Sequence, residues 1–112
     1  MEPLQLLKDM NSGLAALSEE SPKLMAAFNR IDGAAYAPGQ LATKHKELIA
    51  LGIAVATVCS YCISYHVQRC FEAGATREEI LEAAGVGVAF GGSPALAHVG
   101  AVLMPALDEF DE

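Results

Sequence analysis

An all-α fold is what the sequence predicts, and three observations carry that expectation. Apolar residues recur at three- and four-residue spacing, as in Leu24, Met25, Phe28 and Ile31, which is the period of a helix with one apolar face. Helix-opening signals stand directly ahead of such runs, Ser21-Pro22 and Thr76-Arg-Glu-Glu79 among them. No stretch pairs convincing alternation with turn-bounded β-branched residues, the mark of a strand. Residues 86–90 come nearest, but their glycine and the capping signal upstream favour a helix there too.

The elements follow in order from start and stop signals. The N-terminal Met1-Glu-Pro-Leu-Gln-Leu-Leu-Lys-Asp-Met10 has no basic region and meets acids early, so it does not read as a signal peptide. Ser21-Pro22 opens a helix, with proline where a missing N–H is harmless. Gly33 and then Pro38-Gly39 close it. Thr43 is the next expected cap, leading into an apolar helix over residues 44–56. Thr57 is expected to cap again, ahead of a helix over residues 59–73 that Gly74 stops. In Thr76-Arg-Glu-Glu79 the hydroxyl and the Glu79 carboxylate can each satisfy a free backbone donor at a helix start, and this helix should run to about residue 89. Gly91-Gly92-Ser93-Pro94 ends it and starts the last, over residues 95–107, with the acidic tail 108–112 expected to fray.

Composition bounds the function classes. At 112 residues the chain is expected to form a single domain spanning residues 1–112. Hydrophobic residues make up 53% and charged residues 19%, which excludes intrinsic disorder. That is more apolar surface than a small monomer covers by itself, so self-association is expected. Seven Lys and Arg stand against fourteen Asp and Glu, for a net charge of −7, which disfavours nucleic acid and anionic membrane as partners. Residues 48–65 and 83–107 lack Asp, Glu, Lys and Arg, but Gly91-Gly92-Ser93-Pro94 breaks the longer stretch, and neither half then reaches the ~20 residues of a membrane span. They read as core or subunit-interface helices. Three cysteines cannot form a fully paired disulfide framework, so a cytoplasmic chain with functional thiols is expected.

The chemistry concentrates in Cys59-Ser-Tyr-Cys62-Ile-Ser-Tyr-His66, with Cys70 following. On a helix these three thiols and the imidazole fall within an arc of roughly 80°. With Thr57 as cap, Cys59 would lie in the first turn, where the helix dipole and free N–H groups favour a thiolate. His66 sits one turn beyond Cys62 and can exchange a proton with it. Glu47, the last acidic residue before the uncharged run, could reach His66 if its helix packs back antiparallel. A metal site is the competing reading, but Cys59 and Cys70 would be about 16 Å apart along one helix, too far for one zinc ion. One helix cannot supply all four ligands, which leaves a two- or three-ligand site completed by Glu47 as the remaining metal reading; no metal or cofactor is expected. Cys70 reads as a buried hydrophobe, His45 as a solvated side chain and His98 as a satisfied core or interface residue. Met10, Met25, Met104, Phe28, Phe71 and Phe90 read as packing residues.

Glu47, eleven intervening residues, Cys59-x-x-Cys62 and then His66 resemble the motif of the alkylhydroperoxidase D-like branch of the carboxymuconolactone decarboxylase superfamily. Glu72-Ala-Gly-Ala-Thr-Arg-Glu-Glu-Ile80 is similar to the segment that follows the motif there, and the resemblance covers residues 40–107. It implies an all-helical fold, commonly a homotrimer or homohexamer, and thiol-dependent reduction of hydroperoxides. It also implies that Cys62 attacks the peroxide, that Cys59 resolves the sulfenic acid, and that Glu47 and His66 relay protons. Tyr61 stands where some members carry a histidine. The reductant it implies is a dithiol protein, thioredoxin-like or lipoyl-bearing. Two alternatives stay open: a decarboxylase-type lyase using His66 and Glu47, and a non-catalytic oligomeric redox sensor.

Overall fold

The computed structural model describes residues 2–112 and is helical throughout, with no strand among them. The elements are α1 (Pro3–Glu20), α2 (Pro22–Tyr36), α3 (Thr43–Ala56), α4 (Ser60–Glu72), α5 (Arg77–Gly91), α6 (Ser93–His98) and α7 (Met104–Phe110). A π-helical turn, Val99–Leu103, joins the last two. It lies just ahead of Pro105, a residue that withholds a donor from the helical ladder. No helix among the described residues is long and apolar enough to cross a membrane.

The core lies where α3, α4, α5 and the C-terminal stretch meet, around Leu51, Val55, Ile63, Val67, Ile80 and Leu103, all fully buried. Helices α3 and α5 approach closely because Gly87 has no side chain: a Cβ there would collide with the Gly52 carbonyl and lie 2.9 Å from the Val55 Cβ. That contact fixes α3, the helix that carries Glu47, against the body of the protein.

Several boundaries differ from the sequence expectations. Helix α1 is not announced by cap chemistry, since its N-cap Glu2 makes no side-chain cap bond; it is anchored instead by burial of Pro3, Leu6 and Leu7. Helix α2 starts where Ser21-Pro22 indicated but runs through Gly33 to Tyr36. Thr43 lies inside α3, and its hydroxyl donates to the Tyr36 carbonyl at 3.0 Å. Thr57 ends α3 rather than opening α4, donating its hydroxyl to the Ile53 carbonyl at 2.8 Å. The tail does not fray at residue 108: α7 continues to Phe110, which packs on the core, while Arg77 donates to Asp108 at 3.0 Å.

The stripe on α2 is amphipathic as read, yet it faces away from its own chain. No residue of α2 is buried, and Leu24, Phe28 and Ile31 are all exposed. Phe90, expected in packing, is 87% exposed.

Candidate functional site

Helices α3 and α4 form an antiparallel hairpin joined by a turn of only three residues. Two hydrogen bonds close it: the Val58 N–H donates to the Val55 carbonyl at 3.1 Å and the Cys59 N–H to the Ala54 carbonyl at 3.1 Å. This is a Schellman ending, whose pivot residue takes a left-handed backbone. The pivot is Val58, with φ of 51°, the one non-glycine residue with positive φ among those described. The turn delivers Cys59 as the N-cap of α4, where its Sγ accepts the Cys62 N–H at 3.2 Å. Cys59 is thus the cap itself, two residues beyond the Thr57 expected in that role, and the argument that a helix N-terminus favours a sulfur anion applies to it directly.

Cys59 and Cys62 are joined as a disulfide, with Cα atoms 5.2 Å apart. Cys62 is exposed and Cys59 partly buried. Cys70 does not share their open face. It is fully buried on the core side of α4, and burial, with the Glu47 charge second, pushes its thiol up to about 12. A thiol so held stays protonated at neutral pH and is inert.

One turn beyond Cys62, His66 meets Glu47 across the hairpin, Nδ1 to Oε1 at 2.8 Å. Glu47 is only 2% exposed, so its carboxylate depends on the groups that face it. The second is Arg69, whose Nε stands 3.7 Å from Oε2. Rings enclose the imidazole on two sides. Tyr36, at the end of α2, stacks on it at 5.8 Å between centroids, and Tyr65 presents an edge at 5.1 Å. Burial, then the Glu47 charge, raises the Tyr36 phenol above its ordinary value. Burial likewise raises Tyr65, with Arg69 pulling the other way. Both phenols are therefore neutral at physiological pH.

Four residues singled out from the sequence, Glu47, Cys59, Cys62 and His66, thus gather at the α3–α4 hairpin. His45 is exposed, and His98 sits on another helix with its Nδ1 3.0 Å from the Pro94 carbonyl oxygen. Tyr61, in the first turn of α4, is exposed. Sequence reasoning missed Tyr36 and Arg69. Arg69 carried a signal, its three-residue spacing from His66 on one helix; Tyr36 carried none, because only tertiary packing brings the end of α2 to the imidazole. No group of three or more His, Cys, Asp or Glu side chains among the described residues is placed to hold a metal ion. On the far flank of α3 an apolar groove of about 460 Å³ runs along α5, lined by Ile49, Ile53, Val86 and Phe90 among others.

Comparison with known proteins places these features in a family. Residues 22–103 match the model of the carboxymuconolactone decarboxylase family. The fold superposes on the apo crystal structure of a member of that family from Legionella pneumophila, with a TM-score of 0.91 and 39% identity over 98% of this chain and 97% of the other. A Thermotoga maritima family member, for which an antioxidative role has been suggested, superposes with a TM-score of 0.81 and 32% identity over 94% of this chain and 88% of its own. An uncharacterised protein of the cox locus of Paracoccus denitrificans is 36% identical over 105 residues, 91% of this chain and 94% of that one.

Proposed function

Because the chain belongs to the carboxymuconolactone decarboxylase family, we propose that it is a thiol-dependent peroxidase, a disulfide oxidoreductase that reduces hydroperoxides through Cys59 and Cys62. The observation that carries this reading is a disulfide capping α4 with its second sulfur exposed, one turn from an imidazole paired to a buried carboxylate. A lyase that needs only His66 and Glu47 has no use for the cysteine pair.

The greater exposure of Cys62 supports it as the attacking sulfur, with Cys59 as the resolving one. In the reduced enzyme His66 takes the Cys62 proton, and the Cys62 thiolate attacks the outer oxygen of the hydroperoxide. The O–O bond breaks, Cys62 becomes a sulfenic acid, and the departing alkoxide leaves as an alcohol with the proton His66 held. Glu47 accepts from His66 Nδ1–H, orienting the ring and stabilising it while it is charged. The Cys59 sulfur then attacks the Cys62 sulfur; the S–S bond forms and hydroxide departs as water with the Cys59 proton. A dithiol reductant reopens the disulfide at exposed Cys62, expelling Cys59 as a thiolate whose charge the cap position favours. Each cycle turns one hydroperoxide and one dithiol into alcohol, water and one disulfide.

The proposed reductant is a thioredoxin-like or lipoyl-bearing protein, and the proposed working form is a homotrimer or homohexamer. The exposed stripe of α2 and the groove along α5 support self-association, since monomers rarely leave so much apolar surface open. The test is steady-state consumption of cumene hydroperoxide with dihydrolipoamide as recycling dithiol. Sustained turnover, lost in Cys62→Ser, is expected. A single oxidation that then stops would identify a sensor. Turnover of a lactone acid retained after both cysteines become serine would identify a lyase.

A further inference from the structure

We propose that Arg69 is a positioning residue for the proton relay: its guanidinium balances the buried Glu47 carboxylate, so that His66 keeps its proton on Nδ1 and offers Nε2 as a base. The inference rests on the redox reading of the site and adds a residue that the motif does not contain.

The carboxylate of Glu47 has two facing partners, His66 Nδ1 at 2.8 Å and Arg69 Nε at 3.7 Å. A buried carboxylate needs a compensating cation. If His66 were that cation, it would be an imidazolium, with no lone pair left to take a proton from Cys62. A guanidinium is always charged, so Arg69 can fill the role permanently and leave the imidazole neutral. An ionised carboxylate only accepts hydrogen bonds, so it fixes the proton of the neutral ring on Nδ1 and turns the lone pair to Nε2.

Arg69 is itself held in place. Its guanidinium carbon lies 5.9 Å from the centroid of the Tyr65 ring, and its Nη1 is 3.6 Å from Glu72 Oε1. At 3.7 Å the contact with Glu47 is an ion pair rather than a hydrogen bond, so charge matters more here than the shape of the fork. The other groups facing the pair do not replace it. Helix α2 contributes the neutral Tyr36 and the acidic Asp32, and α4 contributes the neutral Tyr65, the protonated Cys70 and the acidic Glu72. Helix α3 contributes Lys46, but its Nζ is taken up by the Ala37 carbonyl, which leaves Arg69 as the permanent cation paired with the carboxylate; without it, the imidazole is the group left to balance that charge.

The experiment compares the full-length wild type with Arg69→Met and Arg69→Lys. It measures the pH dependence of cumene hydroperoxide consumption with dihydrolipoamide, and the ¹⁵N spectrum of the His66 ring across the same range. Removing the cation should move the acidic limb of the rate profile, and the midpoint of the ring titration, upward by about one pH unit, tenfold in proton affinity. Arg69→Lys should return both toward wild type. A residue that merely supports the fold would scale the rate alike at every pH and leave the ring titration where it was. Coincident limbs and ring titrations in wild type and Arg69→Met would overturn the inference, as would a Lys variant displaced as far as the Met variant. Arg69→Gln serves as the neutral variant if the Met protein does not fold. If no protein consumed peroxide yet the ring titration moved as stated, the peroxidase reading would fail while the role of Arg69 stood.

Discussion

The two ends of the helix pair that builds the site close in the same way, with different residues. At the end of α3, Val58 donates to Val55 and Cys59 to Ala54; at the end of α4, Gly74 donates to Phe71 at 3.0 Å and Ala75 to Cys70 at 2.9 Å. Both are Schellman turns with a left-handed pivot, φ of 51° at Val58 and 93° at Gly74. Glycine occupies that region freely, whereas a β-branched residue does so under strain. The spacing differs too. After Gly74 the chain has a spare residue, Ala75, before Thr76 caps α5 with a full capping box. After Val58 it has none, so Cys59 both completes the ending of α3 and caps α4. The contrast is that the junction without slack, and with the strained pivot, is the one that holds the Cys59–Cys62 disulfide; local strain kept by a surrounding scaffold is a recurring property of functional sites.

Exchanging the pivots tests that contrast, and the largest effect should come from the relaxed end. Gly74→Val forces a β-branched residue into the left-handed region, where the penalty is about 1–2 kcal/mol or more. A Cβ at residue 74 meets nothing within 4 Å, so the loss read from denaturant midpoints would report backbone strain and not a clash. The reverse change should be smaller and of opposite sign. Val58→Gly relieves a similar strain, but glycine gains about 0.4–1 kcal/mol of freedom in the unfolded chain, so the net gain should be about 1 kcal/mol or less. A loss of stability there would mean that Val58 is not strained.

The smallest effect is acid softening confined to the relaxed end. The Thr76 backbone N–H, and then Lys44, hold the Glu79 carboxyl below its ordinary value of 4.5. The stability from this shift is present above that value and is lost as pH falls through the lowered value in the folded protein. Amide exchange at Thr76 should therefore quicken in that acid window. The amide of Cys62, bonded to the Cys59 sulfur, should show no matching transition.

Much of this was legible in the sequence, for reasons that differ residue by residue. The capping box of Thr76 and Glu79 is local chemistry, and it formed as read. The meeting of Glu47 and His66 needed only that two helices joined by a short turn pack back on each other, and the 2.8 Å contact follows from that. The register of the cap was misplaced because Thr57 and Cys59 both lie before the helix, and a hydroxyl is the commoner cap. Helix periodicity placed Cys70 in the same arc as Cys59 and Cys62, but with Cys59 outside the helix and Cys70 in the core no common face exists. Periodicity marked the apolar stripe of α2 without saying whether its neighbour lies in the same chain, and the stripe proved to face outward. Tyr36 was invisible for a related reason: its contact with His66 depends on where a whole helix ends in space.

The central claim is that Cys59 and Cys62 pass electrons to a hydroperoxide as a couple, and thiol counting tests it most directly. One equivalent of cumene hydroperoxide added to the fully reduced protein should remove two of its three thiols, leaving buried Cys70, and in Cys62→Ser the paired loss should disappear. Three thiols surviving in the wild-type protein, or a loss of two that persists in Cys62→Ser, would contradict the account.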